Sequence, residues 1–227
     1  MLRAATLIDS LPLATGETQV IAAIQSALME TGCYVGASIF SPDLTSRLAT
    51  RATALASSGE LQAARVGRAA GAMHVGSMRS DETRWLDAAP ADAAERDALN
   101  AVEDLRLTLN RSLFLGARRA ELHFARYAPG AFYRVHRDRF RDDDARCLTL
   151  IFYLNAGWQP DDGGELVLYA DDNSGAILQR IEPRAGTMVC FMSERFPHEV
   201  RPARRERYSL TGWLRRDGDL FVDTVRK

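Results

Sequence analysis

At Gly116 the spacing of apolar residues changes from helical to alternating, and this switch limits the possible folds more than any other feature of the chain. Beyond it, Leu122 and Phe124 alternate with Glu121, His123 and Ala125. Short strand-like runs come next at Phe132–Val135, Arg146–Asn155, Glu165–Tyr169, Ile177–Ile181, Thr187–Met192, His198–Arg201 and Arg207–Leu214. Many short strands separated by turn residues predict a barrel or jelly roll, cupin-like in outline. The run Arg146–Asn155 is nearly continuous in apolar residues, which suits a central strand covered on both faces.

Before Gly116 the period is helical. Val20, Ile21, Ile24, Leu28 and Met29 share a face over Thr18–Glu30, and Gly32 suits a C-terminal cap. Tyr34–Phe40 is a short strand candidate. Ser41 can cap a helix whose first turn holds Pro42, with Leu44, Leu48 and Leu55 on one side. Residues 57–79, rich in Gly, Ser, Ala and Arg, read as a loop or hairpin. Pro90 is expected to open a third helix carrying Leu99, Val102, Leu105, Leu109 and Leu113, ending near Gly116. Residues 1–16 show no strong period. No long Pro/Gly linker separates the halves, so one α+β domain is expected. Residues 1–116 are its mainly helical part, 117–216 its β core and 217–227 a tail.

A formal net charge of −1 gives no overall field for nucleic acid or an anionic membrane, and the many arginines are interleaved with acids. Cys33, Cys147 and Cys190 are odd in number, far apart and without CxxC spacing. They read as reduced thiols of a cytoplasmic protein and not as a disulfide framework or zinc site. No signal-peptide pattern or membrane-length apolar run is present.

The chemistry concentrates between Tyr127 and Trp213. His136 and Asp138, two apart, point to one side of a strand. His198 comes 198 − 138 = 60 residues after Asp138, far enough for several strands to return beside the first. Two imidazoles and a carboxylate leave octahedral positions open for a chelating cosubstrate and dioxygen, as in non-haem Fe(II) oxygenases. A His-x-Asp pair alone also occurs on surface strands, so the weight comes from its downstream companions. Arg207, Ser209, Thr211 and Trp213 share one strand face, and a guanidinium there suits a carboxylate. Tyr153 shares a face with Thr149 and Ile151; its hydroxyl is either a second donor to that carboxylate or a core tyrosine bonded to backbone. His123 reads as a satisfied strand histidine and His74 as a solvated loop residue. Arg201, Arg204, Arg205 and the Asp142–Asp144 run read as solvated loops.

The segments Tyr127-Ala-Pro-Gly, Tyr133-Arg-Val-His136-Arg-Asp138, Arg146-Cys-Leu-Thr-Leu-Ile-Phe-Tyr153, Trp158, Gly163-Gly164-Glu-Leu, Ile181-Glu-Pro-Arg-Ala-Gly186, Pro197-His198-Glu-Val and Arg207-Tyr-Ser-Leu-Thr-Gly-Trp213 together resemble the prolyl 4-hydroxylases over about residues 118–216. Upstream, Arg79-Ser-Asp81-Glu-Thr-Arg-Trp85 resembles the prolyl hydroxylase domain branch, which has bacterial members. The resemblance implies a double-stranded β-helix with supporting N-terminal helices, and dependence on Fe(II), 2-oxoglutarate, O2 and L-ascorbate. It implies that His136, Asp138 and His198 hold the iron. It assigns Arg207 and Tyr153, with Tyr127 and Thr211, to 2-oxoglutarate. Tyr133, Arg146 and Trp213 fall near the substrate proline, and Arg79, Asp81 and Trp85 flank a loop between Gly67 and Met78 that closes on substrate. Ile151, Leu166 and Val200 are candidates for an apolar wall that limits unproductive oxidation.

The implied reaction is 4-hydroxylation of a prolyl residue in a protein or peptide, with conversion of 2-oxoglutarate to succinate and CO2. Alternatives are a 2-oxoglutarate oxygenase of free amino acids or other small molecules, or a catalytically idle, oxygen- or metabolite-responsive binding module. A complete triad with Arg207 speaks against the idle module.

Overall fold

The computed structural model describes residues 16–64, 76–138, 145–171 and 174–217. The expectations for residues 1–15, most of the Gly67–Met78 loop including His74, the Asp142–Asp144 run and most of the C-terminal tail lie outside these residues.

Three helices form one layer. The first is α1 (Gly16–Glu30). The second is α2 (Pro42–Ser57), whose N-cap Ser41 accepts the Leu44 amide and whose first turn takes Pro42 as expected. The third is α3 (Ala93–Leu113). It begins three residues after Pro90 because the Asp92 carboxylate caps it, accepting the amides of Ala94 and Glu95 at 2.8 and 3.1 Å. It ends at Leu113, where Phe114 takes a left-handed conformation (φ 52°) before Gly116 is reached.

Leu48, Leu55, Leu105 and Leu109 are at most 1% exposed. Each such burial contributes about 1.5–3 kcal/mol. They pack with Leu122, Phe124, Leu148, Leu150, Phe152 and Leu210 from the sheet beneath.

That sheet has seven strands: β1 (Cys33–Ala37), β2 (Gln62–Ala63), β3 (Glu82–Trp85), β4 (Arg119–Tyr127), β6 (Arg146–Tyr153), β9 (Thr187–Met192) and β11 (Arg207–Arg215). Their order is β1-β9-β6-β11-β4-β3-β2, all neighbours antiparallel. A second, four-stranded sheet runs β5-β10-β7-β8, from β5 (Tyr133–His136), β10 (His198–Val200), β7 (Leu166–Tyr169) and β8 (Ile177–Ile181). The two sheets face each other across Tyr127, Ile151, Tyr153, Val189 and Phe191 on one side and Leu166, Leu168, Ile181 and Val200 on the other. This is the double-stranded β-helix, with β6 between β9 and β11 as its continuous apolar run requires.

Sequence pattern alone does not reveal β3. Glu82-Thr-Arg-Trp has no apolar alternation, yet it pairs with β4 from Glu82↔Arg126 to Trp85↔His123. Arg126, bonded to Glu82 at 2.6 Å and to Glu206 at 2.8 Å, ties the two edges together. Gly212 allows the close pairing of β11 with β4: a Cβ there would stand 2.0 Å from the Glu121 carbonyl oxygen.

Candidate metal centre and ligand cavity

β5 and β10 run antiparallel with His136 directly opposite His198, which brings two residues 62 positions apart into contact. Asp138 lies two residues beyond the end of β5, not within a strand as its spacing suggests. The chain nevertheless returns its carboxylate to both imidazoles. Nε2 of His136 and of His198 are each 3.6 Å from an Asp138 oxygen. The three ligand atoms lie within 4.8 Å of one another.

Both histidines are oriented by the same local device. Nδ1 of His136 bonds the Arg134 carbonyl at 2.8 Å, and Nδ1 of His198 bonds the Phe196 carbonyl at 3.0 Å. Donation there places the lone pair on Nε2, facing Asp138. The Tyr133 ring stacks on His136 at 3.5 Å, and the Phe191 ring meets His198 edge-on at 4.9 Å. Thr149 donates its hydroxyl to Asp138 Oδ2 at 2.8 Å and lies 2.9 Å from the Ser193 hydroxyl. Burial opposes the Asp138 charge, but His198, His136 and Arg146 outweigh it and hold this carboxyl well below the usual range. Burial, then His136, pushes His198 down to about 4, so it stays neutral near pH 7. Two imidazoles with inward Nε2 and one ionised carboxylate are the facial donor set that suits Fe(II).

A cavity of about 360 Å³ opens beside this triad. Arg207, the first residue of β11, enters it only 2% exposed. Its Nε donates to the Gly164 carbonyl at 2.9 Å. Among the described residues no carboxylate forms an ion pair with it. Its guanidinium carbon lies 4.9 Å from the Tyr127 ring and 5.1 Å from the Tyr153 ring. The Tyr153 hydroxyl is buried without a hydrogen-bond partner among the described residues. Burial pushes its pKa up to about 12, opposed by Arg207. A buried cation and a buried phenol, both with unused donors, need an anionic acceptor. The carboxylate of 2-oxoglutarate fits that need. Glycine at 164 leaves the arginine its room, since a Cβ there would lie 2.8 Å from Ala203 Cβ and 3.3 Å from Arg207 Cδ. Thr211 and Ser209 line the cavity with hydroxyls 3.1 Å apart, and Ile151, Leu166 and Val200 supply its apolar wall.

At the other end of β11 stands Trp213, opposite Thr149 on β6. The Arg146 guanidinium covers its ring at 3.5 Å, held by Glu121 at 3.3–3.4 Å and by the Asp138 carbonyl at 3.3 Å. Arg79 forms a two-pronged pair with Asp81 at 2.7 and 2.6 Å and lies 4.2 Å over the Tyr133 ring. Trp85, half exposed, leans on His123 (4.7 Å) and Trp213 (6.0 Å). Of the site residues expected from sequence, all but Tyr153 and Asp81 line the cavity; those two adjoin lining residues, Tyr153 with its ring 5.1 Å from the Arg207 guanidinium carbon and Asp81 bonded to Arg79.

Spacing and residue type do not mark Thr149, Ser193 and Glu121 as functional, and they misplace His123. It is not a satisfied strand histidine: it lines the cavity, 4% exposed, with Nδ1 unpartnered among the described residues. Its shared parity with Tyr127 along β4 is the signal that points inward.

Comparison with known proteins agrees with this geometry. Residues 122–215 match the 2OG-Fe(II) oxygenase superfamily. A solved prolyl-4-hydroxylase from Pseudomonas putida is 42% identical, superposes with a TM-score of 0.78, and the alignment covers 87% of this chain and 100% of that one. A prolyl hydroxylase from Trichoplax adhaerens, solved with a hypoxia inducible factor oxygen degradation domain peptide fragment, is 26% identical with a TM-score of 0.76, covering 87% and 89%. Hypoxia-inducible factor prolyl hydroxylase of Caenorhabditis elegans is 32% identical over 152 residues, 62% of this chain. The chain spans 20% of that relative's length and 25% of Egl nine homolog 1 of Rattus norvegicus. The chain belongs to the prolyl 4-hydroxylase family within the 2OG-Fe(II) oxygenases.

Proposed function

We propose that the protein is a 2-oxoglutarate-dependent dioxygenase that hydroxylates a prolyl residue, at C4, in a protein substrate. The observation that carries the reading is Arg207: a buried guanidinium without a counter-ion among the described residues, in the same cavity as a complete His-Asp-His triad. His136, Asp138 and His198 hold the metal; Arg207 and Tyr153 take the distal carboxylate of 2-oxoglutarate, with Tyr127 and Thr211 beside it. Bound there, Fe(II) with 2-oxoglutarate and O2 supplies oxidative decarboxylation to succinate and CO2 coupled to hydroxylation of a C–H bond.

The chain's own residues do the rest. Thr149 fixes the Asp138 carboxylate. Ile151, Leu166 and Val200 exclude water from the reacting carbon. Tyr133, Arg146 and Trp213 frame the proline, with Arg79, Asp81 and Trp85 beside the approach. Ascorbate serves as the reductant that maintains Fe(II). A cytoplasmic setting is supported by three unpaired cysteines, and among the described residues no helix is long and apolar enough to cross a membrane.

The experiment is incubation of a proteome with the purified protein, Fe(II), 2-oxoglutarate and ascorbate. Mass spectrometry should find one added oxygen on proline, together with succinate. Oxygen added only to free amino acids would overturn the peptidyl reading; absence of succinate and of metal-dependent 2-oxoglutarate binding would overturn the enzyme reading.

A further inference from the structure

Buried polar atoms in folded proteins nearly always have partners. Three buried side-chain atoms at this site have none among the described residues: the Tyr153 hydroxyl, His123 Nδ1 and Trp213 Nε1. The first is explained by the carboxylate clamp. The other two belong to neighbouring rings, stacked at 5.5 Å and 23°, and both rings line the cavity that holds the triad. His123 is 4% and Trp213 7% exposed. Leaving each atom unpaired is unfavourable, and neither finds a hydrogen-bond partner among the described residues.

The two orphans are complementary in kind. An indole N–H only donates. A neutral imidazole offers one acceptor nitrogen, and burial, with Arg79 and Arg146, pushes the His123 pKa down to about 3 against the opposing pull of Asp138. An extended peptide residue presents its own N–H and C=O to the same edge, as paired residues of an antiparallel ladder do. One such residue supplies the donor that His123 lacks and the acceptor that Trp213 lacks.

We infer that His123 Nδ1 and the Trp213 indole N–H form a subsite that grips the backbone of one residue flanking the target proline. The inference rests on the peptidyl-proline reading and extends it: the site recognises main chain, not the side chain of the neighbour. Trp85 is the cover of this subsite. It lies opposite His123 on the short β3 strand and is the exposed member of the three rings. A peptide reaching the His123 edge displaces it. A free amino acid has no flanking peptide group and leaves both orphans unpaired, so the same pair disfavours free proline.

The test uses the full chain loaded with Zn(II) and 2-oxoglutarate, which does not turn over, and a synthetic copy of the proline peptide that gains oxygen in the proteome incubation. The protein has three tryptophans, so its indole N–H signals are few. Trp158 already donates to the Gly163 carbonyl at 3.1 Å. Trp213→Phe assigns the signal of interest. On peptide addition the Trp213 N–H should move downfield, and free proline should leave it in place. In turnover, His123→Phe and Trp213→Phe each keep a ring and lose one polar atom. Each should raise KM for the peptide about tenfold, more than it lowers kcat, as loss of one hydrogen bond requires. His123→Gln, which restores an acceptor, should recover part of that loss. Where a variant fails to fold, the N–H shift of the wild-type protein decides. An oxidised peptide that leaves the Trp213 N–H unmoved overturns the subsite alone. Failure to find any oxidised proline peptide overturns the peptidyl reading and the subsite with it.

Discussion

Replacing Arg207 by methionine separates its role in binding from any role in holding the fold. The side chain is 2% exposed, and its one hydrogen bond among the described residues is Nε to the Gly164 carbonyl. Losing that bond costs about 1 kcal/mol. Removing a buried charge that lacks an ionic partner returns a comparable or larger amount, since apolar replacement of buried ions is often neutral or stabilising by about 1–4 kcal/mol. Arg207→Met should therefore leave the metal-free, ligand-free protein as stable as the parent, or more so. The cost appears on ligand binding. Deleting one partner of a buried, hydrogen-bonded charge pair weakens a complex by about 2–5 kcal/mol, or about 30- to several thousand-fold in Kd. At 2-oxoglutarate one hundred times the wild-type Kd, the parent gains about 2.7 kcal/mol from ligand. For a domain of this size that raises Tm by about 5–10 °C. The variant should gain from almost nothing to about 3 °C across that range of lost affinity. Calorimetric unfolding of both proteins with Mn(II), with and without 2-oxoglutarate, reads both quantities, and titration calorimetry confirms the Kd. A variant that unfolds earlier without ligand yet keeps its ligand-induced rise would refute the assignment, because Arg207 would then be a structural arginine.

Neighbouring contacts carry further consequences. Thr149→Val removes the hydroxyl bonded to Asp138 and should weaken metal binding about 10- to 100-fold, read by competition with a chelating dye, with little change in Tm. Gly164→Ala puts a Cβ against Ala203 and Arg207 at a φ of +69° and should cost about 1–3 kcal/mol while lowering 2-oxoglutarate affinity. His123 predicts a slope on the acid side. Its folded pKa is depressed to about 3 from an unfolded value near 6.5, so below pH 6.5 the unfolded chain takes up a proton that the folded chain refuses. Stability thus falls as pH drops from 6.5 towards 3, by about 2 kcal/mol at pH 5 from this residue. In urea titrations His123→Phe should lose that part of the slope; an unaltered slope would show that His123 is not held neutral in the fold.

Much of the architecture is legible because it is written in local periodicity. The Ser41 cap, the Leu44-Leu48-Leu55 face and the apolar run of β6 each depend on neighbours a few residues away. The errors have equally local causes. Pro90 reads as a first-turn proline, but Asp92 holds two amides of the next turn and sets the start of α3 there. β3 carries no apolar alternation; it is a strand because the open edge of β4 needs hydrogen-bond partners. In β4 the alternation of Leu122 and Phe124 with Glu121, His123 and Ala125 leaves open what the second face meets. Both faces are interior: Leu122 and Phe124 meet the helices, while His123, Ala125 and Tyr127 meet the cavity. Alternation reports that two faces differ, and it is silent on whether the polar one meets water or a ligand.

The chain by itself determined the strand-rich second half, the order of its ligand residues and the chemistry that two histidines, one aspartate and one arginine can perform. Side-chain type and spacing are sequence properties, and they persist in any fold. Only the tertiary structure decided that β10 docks on β5 with His198 facing His136, that Asp138 turns back beyond its strand, and that Arg207 has no carboxylate beside it among the described residues. Those facts depend on sheet register and on which groups are desolvated together. A residue's burial and its missing partners are set by atoms tens of positions away, so the unpaired Tyr153 hydroxyl and Trp213 indole N–H, and the missing counter-ion of Arg207 among the described residues, became visible only once both sheets had closed over them.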